Sequence, residues 1–148
     1  MSNPVTVNIA LLVARVVTGV VFLAHGIQKL TTFGMAGTTA SMEGNGVPLP
    51  AVAAFLVTWV ETLGGIALIL GVFTPIVALL LTIDMIGAVF FAHISNGIFV
   101  TNGGWELAGI LGAISLVFAV IGAGAYSVDQ VLGKKLTFLR SPLPAGSR

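Results

Sequence analysis

The sequence predicts an all-α protein, a four-helix bundle built to cross a membrane, and three observations lead there. Of its 148 residues, 57% are hydrophobic and 7% charged, against about 25% charged in an average soluble domain. Four apolar stretches each approach the roughly 20 residues that a hydrocarbon core about 30 Å thick demands of a helix. Glycine, proline and asparagine, the residues that end helices, stand between them.

The first helix is expected over 9–30. At about 100° per residue, Arg15, Thr18, Phe22, His25 and Lys29 share one stripe, so its polar groups form a single inward face. A loop over 31–49 follows, bracketed by Gly44, Gly46, Pro48 and Pro50. The second and third helices are expected over 49–70 and 75–94, joined by a tight turn at Gly71 and Pro75. "SNGIFVTNGG", from Ser95 to Gly104, reads as a polar connection to a fourth helix over 105–123. Gly64, Gly65, Gly71, Gly109, Gly112 and Ala113 supply small surfaces on which helices approach closely. Gly122 and Gly124 end the membrane domain, residues 1–125. In the remaining segment, 126–148, Ser127 caps a short amphipathic C-terminal helix with Asp129 in its first turn.

Orientation follows from charge. Lys134, Lys135, Arg140 and Arg148 all come after the last helix, which places both termini in the cytoplasm of a bacterial inner (plasma) membrane, with Lys29 as the opposing vote. No basic leader with a cleavage signal precedes the first apolar run, so no removable signal peptide is expected. A formal charge of +1 leaves no basic surface for nucleic acid. With no cysteine, the chain has no disulfides, iron–sulfur ligands or thiol chemistry of its own, and any redox activity requires a cofactor or a partner.

A shift of 68 positions aligns Gly19, Val21, Phe22, Ala24, His25 and Gln28 with Gly87, Val89, Phe90, Ala92, His93 and Asn96. Chance recurrence in a small apolar alphabet is the bland explanation. A duplicated helical hairpin of the kind some transporters show is the other.

An ionisable side chain in lipid costs at least about 2.5–3.5 kcal/mol at mid-helix, so each should face the interior with a partner. A buried ion pair is therefore expected between Arg15 and Glu61 or Asp84, fixing helix register or serving protons and substrate. His25, Gln28, Lys29, His93, Asn96, Trp105 and Glu106 gather nearer the outer surface, with His25 and His93 at matched depth. For Trp105 and Glu106, interface anchoring and helix-dipole compensation compete with a role in that pocket. Two imidazoles at one depth also invite haem b, which the isolated pair of histidines does little to support, and no other metal set is expected.

These residues carry a resemblance to the DoxX family of small four-helix membrane proteins. It rests on Arg15, "HGIQKL" from His25, "ETLGGIALILGVFTP" from Glu61, "GWELAGIL" from Gly104 and "GAGAYSVDQVL" from Gly122, and covers nearly the whole chain. The family's usual Gly-Pro-Gly stands here as Gly122-Ala123-Gly124, and its Ser-Leu-Asp as Ser127-Val128-Asp129. Residues matching the family pattern are Arg15, His25, Gly26, Lys29, Glu61, Gly64, Glu106, Ser127 and Asp129. The resemblance implies a membrane subunit of a redox complex that uses quinone and meets a soluble partner protein. On that expectation, His25, Lys29, His93 and Glu106 are the catalytic candidates, and His25, Gln28, Lys29, His93 and Trp105 would hold the quinone. A non-catalytic anchor for a soluble redox or detoxifying enzyme, or a path for protons or a small solute, are the alternatives. A homo-oligomer is compatible with each.

Overall fold

The computed structural model describes residues 4–132, and all regular structure among them is helical. Helix α1, Pro4–Gln28, runs through a π-helical turn, Lys29–Phe33, into α2, Gly34–Gly44. Helix α3 is Pro50–Leu70; α4, Thr74–Ala88, is prolonged by a π-helical turn, Val89–His93, and a 3₁₀ turn, Ile94–Asn96. Helix α5, Glu106–Ile121, and a short α6, Val128–Leu132, complete the chain as described. The runs Pro4–Gly44, Pro50–Leu70 and Thr74–Asn96 are long and apolar enough to cross a membrane, and α5, of 16 residues, is apolar but shorter. Lys134, Lys135, Arg140 and Arg148, which carried the orientation argument, lie outside the described residues.

The bundle is inside-out, as its solvent requires. Val17, Leu63, Ile83, Ile86, Ile110 and Val120 face outward, while Arg15, Thr18, Glu61, Thr62, Thr82 and Ser115 are buried. Phe22, Leu68, Leu81, Met85, Leu111 and Phe118 fill the core between them. Thr18, Thr58, Thr62 and Thr82 each donate to the carbonyl four residues back, at 2.7–2.8 Å, so their hydroxyls travel through lipid already satisfied.

The same device corrects one expectation. A loop was expected over 31–49, yet most of that stretch is helical. Thr31 donates to Ile27 O and Thr38 to Gly34 O, both at 2.9 Å, so threonines that read as loop residues are accommodated in a continuing helix. Gly34, at φ 65°, bends the run, and α2 then packs along the first part of α3.

Register between α1 and α3 is set by small residues. A Cβ on Gly65 would lie 2.6 Å from Leu23 N and 2.7 Å from Gly19 O, so the two backbones meet with no room for a side chain. Gly26 stands against Thr62 one step further along. This antiparallel register slides α1 past the α3–α4 turn, so that Lys29 lies opposite the middle of α3. The duplicated phrase does not extend to equivalent contacts: Gly19 is pressed against α3, whereas a Cβ on its counterpart Gly87 would meet nothing within 4 Å.

Gly65→Leu should therefore separate α1 from α3. The expected result is a loss of roughly 1–3 kcal/mol or more, seen as a lower melting temperature of the detergent-solubilised protein, with Gly87→Leu close to wild type.

Candidate functional site

Buried charge collects at two levels. The first is the end of the bundle at which residues 4 and 132 both lie. The Arg15 guanidinium is buried there and donates to Ala123 O at 3.0 Å and Tyr126 O at 2.8 Å. Asp129, also buried, accepts from Phe73 N at 2.7 Å and Thr74 N at 2.8 Å, while its own N–H donates to Gly71 O at 2.8 Å. Phe73 enters α4 at φ 49°, a left-handed conformation that costs an L-residue about 1–2 kcal/mol. No side chain on Phe73 caps the helix, so the carboxylate of Asp129 takes that role and complements the helix dipole. Asn8 Oδ1 accepts from Ala125 N at 2.8 Å, and Ser127 Oγ caps α6 by accepting from Gln130 N at 3.2 Å. Gly71, at φ 69°, leaves room for the Arg15 side chain beside it, where any Cβ would collide with the guanidinium. The segment Gly122–Asp129 thus clasps α1, the α3–α4 turn and the end of α5.

The expected ion pair of Arg15 with Glu61 or Asp84 does not form. Arg15 turns toward the near end of the bundle, where two carbonyls and the electrostatic field of Asp129 receive it. Helix α5 ends at Ile121, and the carbonyls just beyond have no helical partner. The guanidinium is shared between them.

Glu61 pairs instead with Lys29, Nζ to Oε2 at 2.5 Å, with side-chain exposures of 18% and 5%. Counted from the turn they share, Glu61 lies about 14 Å from the end of α3 at Leu70 and Asp84 about 15 Å from the start of α4 at Thr74, so the two carboxylates stand at a common depth. Asp84 lies within the electrostatic reach of both Glu61 and Lys29. Its Oδ2 is buried and has no hydrogen-bond partner. An ammonium and two carboxylates therefore share the middle of the bundle, on the π-helical turn after α1, on α3 and on α4. An apolar groove of about 310 Å³ runs between α3 and α4, walled by Leu56, Trp59, Val60, Leu63, Val77 and Leu80, of which Leu56, Leu63 and Leu80 are exposed on the outer face of the bundle.

The outer pocket inferred from sequence is not assembled. His25 Nδ1 lies 2.9 Å from Val21 O of its own helix, and His93 Nδ1 lies 2.7 Å from Gly103 O. No hydrogen bond or ion pair joins the two histidines among the described residues. Glu106 Oε1 accepts from Val100 N at 2.7 Å, and Asn96 reaches Ala92 O and Gly103 O at 3.3 Å, so these side chains order the loop before α5. Gln28 is exposed. The Trp105 ring covers Gly109. Of the residues expected to form a site, Lys29 and Glu61 are joined directly, with Asp84 in their electrostatic reach, and His93 and Asn96 meet at Gly103 O. Placing Lys29 at the outer surface assumed that its helix stopped at residue 30. Because the helix continues, that lysine is interior. The clasp contacts of Asn8, Gly71 and the Ala123 and Tyr126 carbonyls went unread, since in each one partner is a backbone group, which leaves no residue-type signal.

An inside-out helical bundle with charges buried at two depths defines a polytopic membrane protein with a polar interior site. The chain belongs to the DoxX family, whose family model matches residues 10–94. It is 35% identical over 137 residues to the Escherichia coli inner membrane protein YqjF, covering 86% of this chain and 95% of that one. It is 31% identical over 130 residues to a Bacillus subtilis protein named "Putative oxidoreductase CatD", covering 86% and 92%. A Mycobacterium tuberculosis membrane protein, Rv3486, is 32% identical over 135 residues, covering 83% and 81%. No solved structure matches the chain.

Two outcomes are expected. Asp129→Ala leaves the α4 N-terminus uncapped and should cost about 2 kcal/mol, read as a lower melting temperature in detergent. Lys29→Met removes the cation from Glu61, whose carboxylate must then take up a proton, at a cost on the order of 3–5 kcal/mol in chemical denaturation from micelles. Adding Glu61→Leu to that variant should recover most of the loss.

Proposed function

We propose that this chain is the membrane subunit of a redox complex in a bacterial inner membrane, with its termini on the cytoplasmic side. It binds a quinone beside Lys29, Glu61 and Asp84 and takes electrons from a partner protein. What supports this reading is that a mid-depth acid–base cluster and an apolar groove occupy the same two helices. Val60 precedes Glu61 on α3, and Leu80 lies one turn before Asp84 on α4, although none of the three charged side chains lines the groove. Their chemistry suits a molecule with a hydrocarbon tail and a carbonyl-bearing head. Leu56, Trp59, Val60 and Leu80 would hold the tail; the Lys29 ammonium and the unpartnered Asp84 oxygen would hold the head.

A bound quinone supplies the capacity to accept two electrons and two protons. The chain's own part is to orient the head, exclude bulk water and keep protons at hand. Without cysteine, it offers no thiol or iron–sulfur relay of its own, which is why the electrons are assigned to a partner. The printed name of one relative, "Putative oxidoreductase CatD", supports the class of chemistry.

Protein purified gently from native membranes should yield stoichiometric quinone on lipid extraction, and added quinone should raise its melting temperature. Leu80→Trp, which fills the groove, should abolish that rise. If neither quinone nor a shift is found while a soluble protein still co-purifies, the chain is an anchor and the quinone reading is wrong.

A further inference from the structure

The cluster at mid-depth holds two carboxylates and one ammonium, and this imbalance has a chemical consequence. We infer that the cluster is a proton-loading site: Asp84 carries an exchangeable proton while Lys29 and Glu61 form the ion pair, and Lys29 can be drawn to Asp84 when that proton leaves.

Geometry and charge count carry the inference. Lys29 Nζ is committed to Glu61 Oε2 at 2.5 Å, and Asp84 Oδ2 is buried with no partner. Lys29, on the π-helical turn that follows α1, and Glu61 on α3 are the charged groups that act on Asp84. Helix α5, packed on the other side of α4, brings Gly112 against Met85 at this level, and its single ionisable side chain, Glu106, is at its first residue. No further cation among the described residues reaches the cluster, because Arg15 is bound at the clasp. Hydrocarbon does not tolerate a surplus charge when a proton can remove it. The neutral arrangement is therefore one ion pair plus one carboxylic acid.

When the acid acts, the Asp84 O–H bond breaks and the proton passes to an oxygen acceptor at the head of the groove. The carboxylate left behind competes with Glu61 for the Lys29 ammonium until a proton from water restores it. Delivery to a quinone oxygen rests on the function proposed above; the resting proton does not.

The test counts buried protonated carboxyls by infrared spectroscopy of quinone-free protein in nanodiscs at neutral pH, with carbon-13 labelling of aspartate to separate Asp84 from Glu61. Wild type should show one, assigned to aspartate. Asp84→Asn should show none. Glu61→Gln should also show none, because Lys29 is then free to pair with an ionised Asp84. Lys29→Met should show two. A wild-type spectrum without a protonated aspartate, or an aspartate signal that survives Glu61→Gln unchanged, overturns the inference. Since wild type and Glu61→Gln decide it together, it stands or falls even if Lys29→Met fails to fold. Quinone plays no part in the measurement, so the quinone reading can fail while this result holds.

Discussion

Hydrocarbon cannot solvate charge, and nearly every specific contact in this protein answers that constraint. A soluble bundle of this size would scatter its charges over the surface. Here Arg15, Lys29, Glu61, Asp84 and Asp129 have no such outlet, so they determine where the helices stand relative to one another. Arg15 is received by carbonyls of the segment after α5, and Asp129 by amides at the start of α4. Both contacts use backbone groups that no helix pairs. Thus the clasp satisfies the charges and the helix termini with the same hydrogen bonds, which is economical where water is scarce.

The clasp and the central cluster are connected through α1. Close approach of α1 to α3 at Gly19 and Gly65 fixes the register, and the register determines that Arg15 reaches the turn while Lys29 reaches Glu61. A shift of one helical turn, about 5.4 Å, would break both contacts together. Packing of small residues is in this sense a precondition of the site's chemistry. The central cluster differs from the clasp in what holds its charges. At the clasp, backbone groups bind both Arg15 and Asp129, with Arg15 Nε left without a partner, whereas at the cluster Lys29 and Glu61 hold each other and Asp84 Oδ2 has no partner.

Helix content was legible because a long apolar run has few other folds available in lipid. The equal depth of Glu61 and Asp84 was legible too, since both count back to the same turn at Gly71. What misled was the end of the first helix. Thr31, Thr32, Gly34, Gly37 and Thr38 resemble loop residues by composition, yet threonine hydroxyls that bond back to their own helix make such residues compatible with a continuing one. From that single boundary came the misplacement of Lys29, and with it the wrong partner for Glu61. The histidines illustrate the opposite error. Matched depth suggested a shared pocket, but each ring bonds a nearby carbonyl instead. Depth is one coordinate of three.

The sequence by itself determined that the chain crosses a membrane, that its few ionisable groups must turn inward, and that its C-terminal Ser127 and Asp129 begin a short helix. These follow from composition and local spacing, which act within a turn or two of chain. Only the tertiary structure decided which charge meets which. Partner choice depends on helix register and on backbone acceptors far away in sequence, and the residues that fix both are glycines, whose contribution is the space they leave.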